Sequence, residues 1–456
     1  MFVWRRHAAL SSVMVLAVMV ALTSCDGRAD VGRLDAESAG QQEVVEIVVW
    51  DKPREGSVDK PVIQELFRRF DAAHPHIRVK HVEPTFQRER EQFMTAVAGG
   101  EQPDLYNSAF PDMETYLNQG IPADMTELWS AYPEREQYLP GALAAAMRDG
   151  RIYGVPNFMY VSGLAYNKQL FREAGVDPSE ALQSWTSFGE AAERLTDRSK
   201  GTYGYAMLGT DWADWFFEYY VWQAGGDLTE RLPGGHVRLR FTSEEAIAAL
   251  QYYKDLRFKY RATQRNVLQS LDDNIKDFFS GRAATMIATS NWFGEMVSAG
   301  MDVRDIGFAP LPPGPGGVSP SQVGGGIWIF NPKASEEKRK AAFTYATYMT
   351  SKEALELMLQ YQSEHGIFPN LLSIRQDVDV DRYAAGMPKE LIANVKQVTE
   401  QGRLEYYMKS RLSPYVSRAV QQVLMDENAD PLTVMQAAEQ LVQREVVDRL
   451  AAETGP

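Results

Sequence analysis

Val44 to Val49 (VVEIVV) is apolar at every position but one, the pattern of a buried strand. Val62, Ile63, Leu66, Phe67 and Phe70 then repeat at helical spacing, and Ile77 to Val82 returns to a β-branched alternation. Phe93, Met94 and Val97 predict a second helix, ended by Gly99-Gly100, and Pro103 to Tyr106 predicts a third strand. This β-α-β-α-β order predicts an open parallel sheet, in which ligands bind outside the carboxyl ends of the strands. Trp50, Asp51, Glu83, Tyr106, Asn107 and Ser108 fall on that edge. Asp104 is either a turn or cap carboxylate or a ligand contact.

Gly150 to Thr196 changes character. Ile152 to Val155 is a short apolar run, and Pro156 is expected to end it because proline lacks an N–H. Val161 to Asn167 predicts a strand, and Lys168 to Ala174 a short helix stopped by Gly175. A further helix opens at Trp185-Thr186-Ser187, with Ser187 and Glu190 at capping-box spacing. The chain here leaves one unit and enters another.

Downstream, Tyr203 to Met207 predicts a strand. Trp212, Trp215, Phe216, Tyr219 and Trp222 combine i+3 and i+4 steps, a helix face packed in a core. Trp212 and Asp211 precede that helix, so core packing explains them less well. Thr242 with Glu245 predicts a cap for the helix Glu244–Leu256. Phe278 to Met286 reads as a helix end entering a strand, and Ile306 to Leu311 as another strand. Pro312 to Gly326 reads as a loop whose last three glycines either bring backbone N–H groups to a ligand or supply plain flexibility. Ser335 to Met349 is a helix. Arg403 to Val447 carries two helical patterns split by Asp426–Pro431, the second capped by Thr433 and Gln436. Tyr406, Tyr407 and Tyr415 read as packing residues there.

The first 24 residues have Arg5 and Arg6 ahead of an apolar run of about 15 residues, then Leu22-Thr23-Ser24-Cys25. A spanning helix needs about 20 apolar residues, so a secretion signal is expected; the alternative is an uncleaved anchor. Residues 26–42 are small, polar and aperiodic, a flexible tether. Cys25 is the only cysteine of the 456 residues, so an intramolecular disulfide is excluded. A net charge of −14 argues against nucleic acid or anionic lipid surfaces as partners. Nine tryptophans and 21 tyrosines exceed what a core uses and leave rings for a binding cleft. Motifs for zinc hydrolysis, redox dithiols, serine hydrolysis and phosphate loops are missing. His74-Pro75-His76 reads as a turn beside His81, not a metal site.

Several of these segments together resemble the extracellular solute-binding proteins of ABC importers, in the group that binds sugars and oligosaccharides. They are G-x-I-Y-G-V-P at Gly150–Pro156, Y-N-K-x-L-F-x-x-A-G-V at Tyr166–Val176, the helix-opening Trp185 and G-G-E-x-P-D-L at Gly99–Leu105. Ile121-Pro122-Ala123-Asp124, Phe278 to Met286 and Gly366-Ile367-Phe368-Pro369 follow the same style. Thr289-Ser290-Asn291-Trp292 stands where the family has glycine–x–tryptophan, a departure in the backbone position.

The resemblance implies an α/β fold of two lobes, periplasmic-binding-protein-like. Each lobe would be an open, mostly parallel sheet flanked by helices, with the ligand cleft between them. It divides the chain into residues 43–156 and 309–350 of lobe I, and 157–308 and 351–456 of lobe II. Residues 1–24 become a lipoprotein signal peptide and 25–42 the tether, with Cys25 the acylated residue. The implied partners are a small solute, ABC permease subunits with a cytosolic ATPase on other chains, and the bilayer; no cofactor is implied, and a monomer is expected. Trp50, Asp104, Tyr160, Asp211, Trp212, Asn291, Trp292, Gly326, Trp328 and Phe368 are the expected ligand contacts. Trp212, Trp292 and Trp328 would stack on sugar faces, and Asp104, Asp211 and Asn291 would take hydroxyls. The rival classes are a secreted carbohydrate-active enzyme and a lipoprotein adhesin. Within the binding class, oligosaccharide, monosaccharide and polyol phosphate all stay open.

Overall fold

The computed structural model describes residues 43–450, apart from Lys52, 54–56, 85–87 and Asp211. The expected Cys25 anchor, its signal and the whole tether lie outside these residues.

The first lobe begins as the hydrophobic pattern predicts. Strand β1 (Val45–Trp50) leads to helix α1 (Lys60–Ala73), which buries Val62, Leu66 and Phe70. Strand β2 (Ile77–Val82), helix α2 (Glu89–Gly99) and strand β3 (Leu105–Ala109) follow. β2 and β3 flank β1, both parallel to it.

The next strand departs from expectation. β4 runs from Gly154 to Asn167 without stopping at Pro156. Proline is tolerated because the pairing shifts there: Ile327 faces Pro156 while Gly326 faces Phe158, leaving Asn157 as an extra residue. A bulge needs no ladder donor from that position.

Helix α3 (Lys168–Glu173) is capped by the Asn167 side chain, and α4 (Trp185–Arg194) follows. Strand β5 (Tyr203–Tyr205) precedes helices α5 (Ala213–Gln223), α6 (Glu244–Phe258) and α7 (Leu271–Phe279). Strands β6 (Ala283–Thr289) and β7 (Ile306–Ala309) complete the second lobe's sheet against β4. Strand β8 (Ser321–Phe330) returns to the first lobe, and helix α8 (Glu336–Met349) packs there. The short β9 (Gly402–Arg403) pairs with the start of β8, and helices α9 (Lys409–Met425) and α10 (Pro431–Val442) close the chain.

These strands form one nine-stranded mixed sheet in the order β2-β1-β3-β8-β4-β6-β5, with β7 on β4 and β9 on β8. Its two halves carry separate hydrophobic cores. One gathers Ile47 to Met159, Val323 to Ala346 and Ile374; the other gathers Val161 to Leu311 and Leu359 to Val442, apart from a small separate cluster around Tyr166, Phe171 and Leu195 in the same half. β4 and β8 are the strands that pass from one core to the other. By core membership the return into the first lobe comes at Val323, since Leu311 still belongs to the second core. Ile374, in the segment expected to lie wholly in the second lobe, sits in the first core, where its carbonyl accepts from Leu139 N–H at 2.8 Å.

Three caps lie elsewhere than expected. Ser184 and Ser187 form the reciprocal cap of α4, and Glu190 stays on the exposed face. Ser243, with extended backbone, caps α6; the Thr242 hydroxyl instead donates to Glu439 at 3.1 Å. Asp430 caps α10 by accepting from Thr433 N–H at 3.0 Å. Where neighbouring residues can all cap, the one with extended φ/ψ and a free side-chain oxygen takes the role. Among the described residues no helix is long and apolar enough to cross a membrane.

Candidate functional site

The junction of the lobes is built on the crossing strands. Gly324, Gly325 and Gly326 lie inside β8, not in a loop, and rings cover them. A Cβ at Gly324 would collide with the Tyr160 ring, and one at Gly326 with Phe158 and Asn157. The glycines therefore let aromatic side chains lie flat on the strand, rather than opening it to a ligand. Phe158 and Tyr160 share a face of β4 because strand side chains alternate. Their rings are 6.3 Å apart at 30°, and Phe158 is 42% exposed.

On the second-lobe side, Trp212 stands ahead of α5 with a left-handed backbone (φ 66°) and 60% exposure. For a bulky residue that backbone is strained. Trp215, one turn on, meets Trp292 edge to face at 6.4 Å and 82°. Its indole N–H donates to Gln322 Oε1 at 2.7 Å, which also accepts from Tyr219 OH at 2.9 Å and Ser162 Oγ at 3.0 Å. The turn Ser290–Trp292 is tied to β4, where Val161 N–H donates to Ser290 Oγ at 3.2 Å. Asn291 is exposed on this turn. Phe368 is half-buried, its backbone carbonyl so close that a Cβ on Gly294 would sit 3.2 Å away. The structure thus brings Tyr160, Trp292, Asn291 and Phe368 to one region, with Trp212 standing just ahead of α5. Asp211 lies outside the described residues.

Beneath these rings is a buried ionic cluster. Lys409, at the start of α9, places Nζ 2.6 Å from Glu218, 2.7 Å from Glu405 and 3.8 Å from Asp214. Asp214 also accepts from Tyr406 OH at 2.8 Å, Ser413 at 2.8 Å and Ser417 at 2.7 Å. Burial pushes the Glu218 carboxyl well above its ordinary value, although Lys409 opposes the shift. Glu405 is raised for the same reason. Burial alone would lower Lys409; the surrounding carboxylates outweigh it, Glu218 most, and raise it. Across the junction, Asp112 of the first lobe is raised by burial and held by Arg90 at 3.1 Å. Thr115 and Ser410 hydroxyls bond from lobe to lobe.

The first-lobe candidates fare differently. Trp50 ends β1 half-buried, edge-on to Tyr106 (5.9 Å) and Phe93 (6.3 Å). Asp51 is bound by His81 at 2.8 Å and by the Tyr345 hydroxyl. Asp104 precedes β3, away from the strands' carboxyl ends. It accepts from Val48 N–H at 2.8 Å and pairs with Lys338 at 3.1 Å, which makes it a structural pin and not a ligand contact. Trp328 is 6% exposed, with its ring edge-on to Tyr345 at 6.4 Å, so the expected stacker is a core residue. Every residue of β8 is buried, so alternation along it gave no outward position for a ring. Tyr106 and Ser108 are buried; Asn107 is exposed and accepts from the Asn157 amide at 2.7 Å, and Glu83 is exposed.

The sequence reading missed Phe158, which the F-x-Y alternation at 158 and 160 signals. It took Trp215 only as a core ring. It also missed Asp214 and Glu218, acids four apart inside an aromatic helix that demand a buried cation, and Glu405 and Lys409, which supply the i,i+4 answer.

A profile described as bacterial extracellular solute-binding protein matches residues 54–356. An uncharacterized lipoprotein of Streptomyces antibioticus is 24% identical over 261 residues, 56% of this chain and 56% of the relative. The chain spans about 55–61% of the length of the curated relatives it matches. The structure of UgpB from Mycobacterium tuberculosis in complex with glycerophosphocholine superposes with a TM-score of 0.74 at 21% identity, covering 89% of this chain and 99% of that one. Maltose-bound T. maritima MalE3 gives 0.71 at 24% identity, covering 88% and 100%. At these identities the likeness speaks to the fold, a two-lobe α/β architecture. With two thirds of its length under one profile and that architecture throughout, this chain belongs to the family of bacterial extracellular solute-binding proteins.

Proposed function

We propose that this chain is the membrane-anchored, extracytoplasmic solute-binding component of an ABC import system. It captures a carbohydrate, of the oligosaccharide class, between its lobes and hands it to a permease on other chains. Cys25 would carry the acyl anchor, and the likeness to a lipoprotein supports that reading. The observation that carries the proposal is the junction itself: two separate cores, linked through β4 and β8, with Phe158, Trp212 and Trp292 standing at least partly open beside it. Aromatic faces pack on the C–H faces of sugars, and exposed amides and buried carboxylates take hydroxyls. A solute that touches both lobes favours the closed form by the contacts it makes only there. Trp50, Tyr160, Trp212, Asn291, Trp292 and Phe368 are the proposed contacts.

The likeness to UgpB favours a second ligand class, a glycerol phosphodiester. Calorimetric titration of the mature chain with a panel of neutral oligosaccharides, monosaccharides and glycerophosphodiesters tests the proposal. Saturable one-to-one binding of an oligosaccharide without release of new reducing ends is the expected result. New reducing ends would mark an enzyme, and no saturable binding by any panel member would overturn the assignment.

A further inference from the structure

We propose that Asn370 is a positioning residue of the solute site: its side-chain amide ties the chain's third passage between the lobes to the crossing strand β4, and through that strand sets Phe158 for the solute. This rests on the reading of the junction as a solute site and adds to it a residue that touches no solute itself.

The third passage is short. Leu371 belongs to the second core and Ile374 to the first, with Leu372 packed against both. Ahead of it, the Phe368 backbone lies against Gly294, two residues after Trp292. Beyond it, the chain is locked onto the first lobe. Leu139 N–H donates to the Ile374 carbonyl and Gln376 N–H to the Gln137 carbonyl, both at 2.8 Å. The buried Arg375 side chain places Nη2 2.9 Å from Glu134 and 2.8 Å from Asp377, with its guanidinium carbon 5.3 Å from the centre of the Tyr138 ring. Residues 368–376 thus form a strap with one end against each lobe.

β4 crosses beside this strap, between Met159 of the first core and Val161 of the second. Its pairing with β6 reaches back only to Ser162. Backbone groups alternate sides along a strand, so the Met159 carbonyl and the Val161 N–H face the edge that β6 leaves uncovered. Val161 N–H is met by Ser290 Oγ at 3.2 Å, and the Met159 carbonyl accepts from Asn370 Nδ2 at 2.6 Å. Asn370 turns its Oδ1 back on its own strap, where it accepts from Leu372 N–H at 3.3 Å. One amide, which both donates and accepts, therefore fixes the strap's turn and the strand's open edge together. Met159 lies between Phe158, whose ring is 42% exposed, and the half-buried Tyr160. Releasing its carbonyl frees the backbone under both rings. A ring that must be reset on binding costs affinity although no solute contact has been removed.

A double-mutant cycle tests this by calorimetry on the mature chain, with whichever of maltotriose, trehalose, glucose and glycerophosphocholine binds the wild type most tightly. Asn370→Asp keeps the acceptor for Leu372 but puts a carboxylate where the donor to Met159 stood. It should weaken binding by about tenfold. In a Phe158→Ala background the same change should cost less than about threefold, because the ring it positions is gone. If the aspartate variant does not fold, Asn370→Ser removes the donor without adding charge and serves the same cycle. Full affinity in the Asn370 variant, or an equal loss in both backgrounds, overturns the positioning role while leaving solute binding intact. Saturation by none of the four overturns the site reading and this proposal with it.

Discussion

At the carboxyl end of β1, Asp51 gives one oxygen to His81 and the other to Tyr345, and Trp50 rests edge-on against Tyr106 and Phe93. Nearby in the same lobe, Asp104 is pinned by Val48 and Lys338, and Trp328 is sealed under Tyr345. On the second lobe's side of the junction, Trp212 is 60% exposed and Asn291 is exposed. Asp51 and Asp104 of the first lobe are held by neighbours within the fold, while Trp212 and Asn291 of the second stand open. Residue type does not decide which is which, since both sides carry tryptophan and acid. What decides is whether a neighbour within the fold has already used the group.

That contrast can be broken by substitution. The largest effect is expected in the second lobe's cluster. Lys409→Met leaves Asp214, Glu218 and Glu405 without their shared cation, and breaking a buried pair costs about 3–5 kcal/mol in denaturant unfolding. A loss below about 1 kcal/mol would mean that the cluster behaves as a solvated surface pair.

The same cluster sets a pH trend. Glu218 and Glu405 are raised above their ordinary 4.5, so the native form holds protons that the unfolded chain has released. The stability these groups contribute is complete below about pH 4.5 and is lost as pH rises through their raised values. The Lys409→Met deficit should therefore shrink as pH falls from about 7 to about 5, because the stranded carboxyls can take up protons. A pH-independent deficit would contradict the burial argument.

A smaller effect is expected for Asp104→Ala. Removing the acceptor of Val48 N–H and the partner of Lys338 should cost about 1–3 kcal/mol of stability with solute affinity unchanged. Weakened binding in a stable Asp104→Ala protein would return Asp104 to the cleft.

How much of this was legible follows from the same distinction. The first β-α-β-α-β run was readable because periodicity and helix stops act within a few residues. The passage of β4 through Pro156 was not, because the bulge that tolerates proline is set by Gly326 and Ile327 on another strand. Trp212 was rightly set apart as preceding the α5 helix, a local argument. Trp328 was misjudged because its burial depends on Tyr345, contributed by a helix that lies beyond it in the chain. The Lys409 cluster joins α5 to α9 across nearly two hundred residues, and only the two i,i+4 acid and base spacings hinted at it.

The most direct test sets one indole from each lobe against the other. Calorimetry with the tightest-binding neutral saccharide of the panel should show Trp212→Ala weakened by about threefold or more at nearly unchanged stability. Trp328→Phe should bind within about twofold of the wild type while melting earlier. Lost affinity in Trp328→Phe together with full affinity in Trp212→Ala would contradict the account.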